Sequence, residues 1–337
     1  MAITNSDSVV NRTEGAPLIE VRDLHKQFKI GKLSLIPFLG EEERPLNAVD
    51  RVSFAIDHGE IVGLAGQSGC GKSTLGELLV GLQAPTGGEI IFDGEDMVSF
   101  DKIEMKQYRK RAQVIFQDPY ESLNPRFTTG QIVSEPLKIH GMSDIDERTK
   151  RALVDAGLDP AEEYLGKFPS ELSGGERQRV CIARAIVLDP DFIVADEPVS
   201  MLDVSVSTQI LKLFKELQET RDIAILYISH NLSTINSLTD RTMVMYLGNI
   251  VEIGQTEQVI HNPAHPYTKD LLSAIPGKKS GEKGSIRETI PDPTNLPDGC
   301  RYVDSCAYAS EECSSAEPEI ENKNDGRMVA CYHPTND

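Results

Sequence analysis

The stretch from Gly66 to Thr74, GQSGCGKST, restricts the fold of this chain more than any other. It follows a short apolar run, Ile61 to Ala65, and leads into Leu75, Leu78, Leu79 and Leu82, spaced as one face of a helix. Strand, glycine loop and helix in that order make a phosphate cradle. Gly66, Gly69 and Gly71 let the backbone curl so that successive N–H groups point inward, and the helix start adds about half a positive charge. The loop residues Gln67, Ser68, Cys70 and Thr74 are then candidate nucleotide contacts beside the glycines. Lys72 is expected to reach the β and γ phosphates, and the Ser73 hydroxyl to ligate Mg²⁺. The alternative, a chance glycine-rich turn, leaves the full G-x4-G-K-S spacing in this context unaccounted for. A cradle of this kind says only that a nucleotide binds.

Bulk properties exclude several uses for it. A formal net charge of −19 argues against the broad basic surface that nonspecific nucleic-acid binding needs, and against adhesion to anionic lipid by charge. No run approaches the ~18 apolar residues of a membrane span. The opening residues, MAITNSDSVVNRTEG, lack a basic start and an apolar middle, so a cytoplasmic protein is expected, its membrane role peripheral and through a partner. The 337 residues accommodate one large domain with a smaller appendage, or two domains.

Residues 1 to 16 are polar and expected to be disordered. Leu18 to Phe28 reads as a strand. An irregular insertion from Gly31 to Pro45 follows, then a strand-like pair at Ala48-Val49 and Val52 to Ile56. Phe28 is either an adenine-stacking ring or an ordinary core aromatic. Beyond the cradle helix, Glu89 to Gly94 reads as a hairpin, residues 102 to 111 as a basic helix, and Val114-Ile115-Phe116 as a strand delivering Gln117 at its carboxyl end. Residues 118 to 172 turn helical and read as a subdomain inserted into an α/β core.

Leu172-Ser173-Gly174-Gly175-Glu176 opens the next helix, and a serine before two glycines offers hydroxyl and backbone donors to an anion. Alone it is a helix cap. The buried strand Phe192 to Ala195 follows and ends in Asp196-Glu197. Carboxylates at that edge of a parallel sheet stand where such sheets bind ligands. Asp196 is expected to hold Mg²⁺ and Glu197 to polarise the attacking water. After the loop Ser200 to Asp203, a helix carries Val206, Ile210, Leu213, Phe214 and Leu217 on one core face. Strand Ile223 to Ile228 ends in Ser229-His230, which places His230 at the same sheet edge for contact with a γ phosphate; a structural role is its alternative. Met243 to Ile253 reads as a hairpin.

The cradle, Gln117, LSGGE at 172 to 176, Asp196-Glu197, Ser200 to Asp203 and His230 occur in the order that marks an ABC-type ATPase. The runs QDPYESLNPRFTTGQIVSEPL, DEPVSMLDVSVSTQIL and HNPAHPYTKDLLSAIPG resemble the oligopeptide/dipeptide importer ATPases, and DEPVS is similar to the F-type subunit of that pair. The resemblance implies a P-loop core with inserted helical and antiparallel β subdomains over about residues 17 to 262, and a cysteine-bearing extension from 263 to 337. It implies ATP and Mg²⁺ as cofactors, with Gln117 as catalytic and metal contact. It also implies that Ser173, Gly174 and Gly175 cap the γ phosphate of ATP held by a second ABC ATPase subunit, with Asp203 beside the nucleotide. Two transmembrane permease subunits and an extracytoplasmic solute-binding protein complete the implied assembly at the cytoplasmic face of the membrane. Peptide is the implied solute, with nickel or a sugar as the other solutes open to such importers. A soluble ABC protein outside transport is the competing class. Glu176, Arg177 and Met201 depart from the usual F-type pattern.

Four of the six cysteines, Cys300, Cys306, Cys313 and Cys331, crowd the end of the chain with spacing C-x5-C-x6-C-x17-C. Four thiolates can hold a [4Fe-4S] cluster or Zn²⁺, or remain free. The resemblance favours the iron-sulfur cluster, although Ser305 and Met328 depart from the expected pattern around the cysteines. Cys70 reads as a loop filler and Cys181 as a small buried residue.

Overall fold

The computed structural model describes residues 15–30, 44–273 and 293–335. Most of the N-terminal segment expected to be disordered, and nearly all of the irregular insertion, lie outside the described residues.

Two sheets organise the chain. Strands β1 (Ile19–Ile30) and β2 (Arg44–Ile56) pair antiparallel, and β4 (Gly87–Phe92) and β5 (Glu95–Asp96) extend them in the order β2-β1-β4-β5. The two strand-like pieces read in residues 48 to 56 are one strand, continuous through Arg51, whose φ is +49° and whose partner strand shifts register there.

Among the described residues the larger sheet has eight strands. Its centre is β3 (Ile61–Ala65), flanked by β8 (Ala224–Ser229) and β9 (Arg241–Tyr246), with β7 (Phe192–Asp196) and β6 (Ala112–Ile115) beyond β8, all parallel. Strands β3 and β8 are buried at every position, as expected of parallel strands covered on both faces. The hairpin read at 243 to 253 is therefore more than a hairpin. It consists of β9 and β10 (Asn249–Gln255), and β9 pairs with the central strand. Outside β10 come β12 (Met328–Val329) and β11 (Glu321–Asn322), so the cysteine-bearing extension finishes the main sheet. Arg327 and Glu252 form an almost wholly buried ion pair at 3.6 Å across that last junction.

Helix α1 (Lys72–Leu79) follows the glycine loop and packs on the sheet so closely that a Cβ at Gly76 would lie 2.8 Å from Val194 Cγ1 of β7. That contact sets the spacing between the cradle and the acidic end of β7. Leu82, read as part of the same helical face, falls beyond the helix, which ends before Gly81 at φ +67°, and stands half exposed.

Helix α2 (Lys102–Arg111) opens on a capping box between Asp101 and Glu104. The helical insertion comprises α3 (Pro119–Ser122), α4 (Thr129–Ile139), α5 (Ile145–Asp155) and α6 (Glu162–Leu165). It packs on α7 (Gly174–Ile186) through Leu137, Leu153 and Val180, all fully buried. Burial of each such side chain contributes about 1.5–3 kcal/mol. Helix α8 (Val204–Arg221) turns Ile210, Leu213, Phe214 and Leu217 into the core, as its spacing predicts. The remaining helices are α9 (Leu232–Leu238), α10 (Thr256–His261), α11 (Pro266–Ser273) and α12 (Glu311–Ser315).

Candidate functional site

The glycine loop, the ends of β6, β7 and β8, and the rim of the antiparallel sheet meet around one open cleft. Ser68 to Thr74, Gln117, Glu197 and Phe28 line it, together with Asn47, Ala48, Leu247, Gly248 and Pro293. Gly71, the residue that caps α1, has φ +109°, and a Cβ there would lie 2.0 Å from the Ala48 carbonyl. Only glycine lets the loop pass that strand.

Lys72 is 5% exposed, and its ammonium donates to the carbonyls of Gly66 and Gln67, each at 2.8 Å. The loop thus holds a buried cation at its own mouth. Cys70 lies under it, with Sγ 3.9 Å from the ammonium, and burial pushes its thiol pKa up. The loop-filler reading of Cys70 matches this position.

At the end of β7, Asp196 accepts a hydrogen bond from Ser73. Burial raises its carboxyl pKa and the Ser73 hydroxyl opposes the rise. A hydroxyl and a carboxylate oxygen held together at a helix start are hard ligands suited to Mg²⁺. Glu197, next in sequence, turns out of the strand with φ +46°, its N–H held by the Ile228 carbonyl of β8 at 2.9 Å. Its Oε2 accepts from His230 Nδ1 at 2.8 Å. The two neighbouring strands β7 and β8 therefore deliver a carboxylate and an imidazole to one point beside the cradle.

Residues 49–200 match the ABC transporter family, and residues 251–313 match the C-terminal region of oligopeptide/dipeptide transporters. Over 326 residues, 95% of this chain and 98% of the relative, the sequence is 41% identical to the dipeptide transport ATP-binding protein DppF of Haemophilus influenzae. The chain belongs to the ABC ATPases of the oligopeptide/dipeptide transporter family.

This ABC ATPase is also 41% identical to DppF of Escherichia coli, over 94% of each chain. The solved ATP-binding cassette MJ0796, a dimer in a post-hydrolysis state bound to ADP and Pi, has a TM-score of 0.62 and 27% identity, covering 71% of this chain and 98% of that one. The chain is accordingly an ATPase whose turnover is coupled to transport, built on the P-loop fold read from its motifs. No helix of the described residues is long and apolar enough to cross a membrane.

Not every expected nucleotide contact reaches the cleft. Ser173 caps α7, accepting from Glu176 N–H, while Ser173 N–H and Oγ each donate to Glu176 Oε2 at 2.7 Å. Ser173, Gly174 and Gly175 are absent from the lining around the loop of their own chain, and Gly175 instead abuts Val206 of α8. Asp203 is likewise outside the lining. It caps α8, accepting from the N–H groups of Ser205 and Val206, both at 3.0 Å. Cys181 is buried in α7, as its sequence reading has it.

Cys300, Cys306, Cys313 and Cys331 gather around one pocket, together with Tyr302 and His333. Even so, among the described residues no group of three or more His, Cys, Asp or Glu side chains is placed to hold a metal ion. Burial raises the pKa of Cys300, Cys306 and Cys331, which favours protonated thiols in this arrangement. The expected four-thiolate ligand set is gathered but not assembled.

Sequence reasoning missed Leu247, Gly248, Asn47 and Pro293 in the cleft. It also missed Tyr267, whose phenol oxygen accepts from Gln67 N–H at 3.0 Å. No local pattern marks these residues, because each reaches the loop from a distant part of the chain.

Proposed function

We propose that this chain binds and hydrolyses ATP to power uptake of oligopeptides or dipeptides through separate membrane permease subunits. The observation that carries the proposal is the Glu197–His230 pair set against the glycine loop, in a chain 41% identical to dipeptide transport ATP-binding proteins. The loop N–H groups and Lys72 hold the β and γ phosphates, and Phe28 stacks on the adenine. Mg²⁺, when bound by Ser73, Asp196 and Gln117, offsets the charge of the phosphate oxygens. Glu197 orients and deprotonates the attacking water, and His230, fixed through Nδ1, presents its other nitrogen to the γ phosphate.

Ser173, Gly174 and Gly175 do not line the cleft around their own loop, which supports a role on ATP held by a second ABC ATPase subunit, with Asp203 at the same joint. The permease pair and an extracytoplasmic solute-binding protein complete the assembly, with this subunit on the cytoplasmic face. Residues 118 to 172 form the lobe that faces the permease, with Gln117 at its hinge. The test is reconstitution of the complex in proteoliposomes. ATP-dependent accumulation of peptide supports the reading, and uptake of nickel or a sugar alone overturns it.

For the cysteine pocket the proposal is a [4Fe-4S] cluster, supported by the gathering of four thiols and requiring them to move into a ligand set. Protein purified anaerobically should carry about four irons per chain. Iron-free protein with one zinc, or with no metal, overturns it.

A further inference from the structure

Cys300, Arg301 and Tyr302 are consecutive, yet they serve different ends. Cys300 faces the cysteine pocket, while its two neighbours reach toward the phosphate loop by separate routes.

The first route is aromatic. Tyr302, 4% exposed, donates its hydroxyl to Asp270 of α11 and packs against Tyr246 and Tyr267, with ring centroids 5.3 and 5.4 Å away. Tyr246 and Tyr267 touch each other at 4.5 Å. Tyr267 is 1% exposed, and its phenol oxygen accepts the N–H of Gln67 inside the loop. Tyr246 and Tyr302 pack on its ring and hold the side chain, and with it that acceptor, in place.

The second route is ionic. Arg301, 8% exposed, bonds Asp50 and Glu317, and donates to the carbonyl of Leu247. Leu247 and Gly248 form the tight turn between β9 and β10, with φ values of +44° and +85°. A leucine in that region is strained and persists only where its surroundings over-determine it. Arg301 supplies that restraint, and the turn passes it on, because Gly248 N–H donates to the Cys70 carbonyl at 2.9 Å.

We infer that Tyr267 and Arg301 are positioning residues for ATP binding, through which the cysteine-bearing extension clamps the phosphate loop at Gln67 and Cys70. Neither touches the reacting atoms. They fix where the loop N–H groups point. The inference rests on the reading that Gly66 to Thr74 holds the phosphates, and Lys72→Ala separates the two.

The test uses the full chain with a fluorescent ATP analogue for affinity, steady-state hydrolysis, and hydrogen exchange of the peptide covering residues 64 to 71. Tyr267→Phe keeps the ring and removes the acceptor, and Arg301→Met keeps much of the stem and removes the guanidinium. Each should weaken ATP binding by about fivefold, near the effect of one lost buried hydrogen bond. KM for ATP should rise with kcat held within about twofold, and the loop peptide should exchange faster. A general loss of packing would lower kcat and the melting temperature without that split. Wild-type affinity and wild-type loop exchange in Tyr267→Phe overturn the inference, and that variant decides alone should Arg301→Met fail to fold. Wild-type affinity in Lys72→Ala would instead overturn the underlying reading of the loop.

Discussion

Glu197 and His230 meet at 2.8 Å although 33 residues separate them, because β7 and β8 run parallel and end side by side. A carboxylate can only accept, so His230 Nδ1 carries the proton of that bond. The pairing fixes the imidazole tautomer and leaves Nε2 outside that bond. Glu197→Gln should lower ATP hydrolysis by about 10²- to 10⁴-fold while ATP binding persists. Unchanged turnover in a phosphate-release assay would remove Glu197 from the role of base.

Gly71→Ala should cost ATP affinity about tenfold or more. The new Cβ would stand 2.0 Å from the Ala48 carbonyl, at a φ of +109° that alanine strongly disfavours. Because α1 begins at the next residue, the helix start shifts with the loop. Nucleotide titration followed by fluorescence checks this, and wild-type affinity would contradict the close passage of loop and strand.

His265 should make the protein acid-sensitive. Fully buried, its ring takes a hydrogen bond from Tyr267 N–H at Nδ1, and burial lowers its pKa to about 3. The folded state binds a proton less readily than the unfolded chain, so the stabilisation is complete above the unfolded pKa of about 6.5 and is lost as pH falls toward 3. Urea midpoints measured between pH 7 and 5 should show wild type losing up to about 1.4 kcal/mol per pH unit more than His265→Gln. Parallel curves would show that His265 does not titrate on unfolding.

Arg327→Met should destabilise the fold by about 3–5 kcal/mol, since it leaves the Glu252 carboxylate buried without its cation. Burial raises the pKa of that carboxyl, opposed by N–H groups of Ala264 and His265. Adding Glu252→Gln should recover much of the loss, which thermal melts of the single and double variants would reveal. A double variant as unstable as the single one would place the effect elsewhere.

The parts of the site carried by short-range pattern were legible before any coordinates. Gly66 to Thr74, Asp196-Glu197 and His230 each end an apolar strand, and strand ends at one edge of a parallel sheet converge by topology. The end of α1 was misread because Leu82 keeps the helical spacing, while the left-handed Gly81 has already turned the chain. Tyr267 and Arg301 left no trace because their partners, Gln67 and Asp50, lie 200 and 251 residues away. Their approach is decided by how the extension docks on β10, which no window of sequence contains. The four-thiolate ligand set expected at Cys300, Cys306, Cys313 and Cys331 does not stand among the described residues: the four cysteines share one pocket, but spacing says nothing of where sulfur atoms point.

The short ribbon of β11 and β12 has a protective consequence. A bare rim on β10 would offer its amide and carbonyl row to any stray strand, the start of sticky stacking between copies. Two-residue strands beside a polar turn at Asp325-Gly326 are poor templates for such growth. The tail thereby acts as a guard against clumping, independent of anything the cysteines hold.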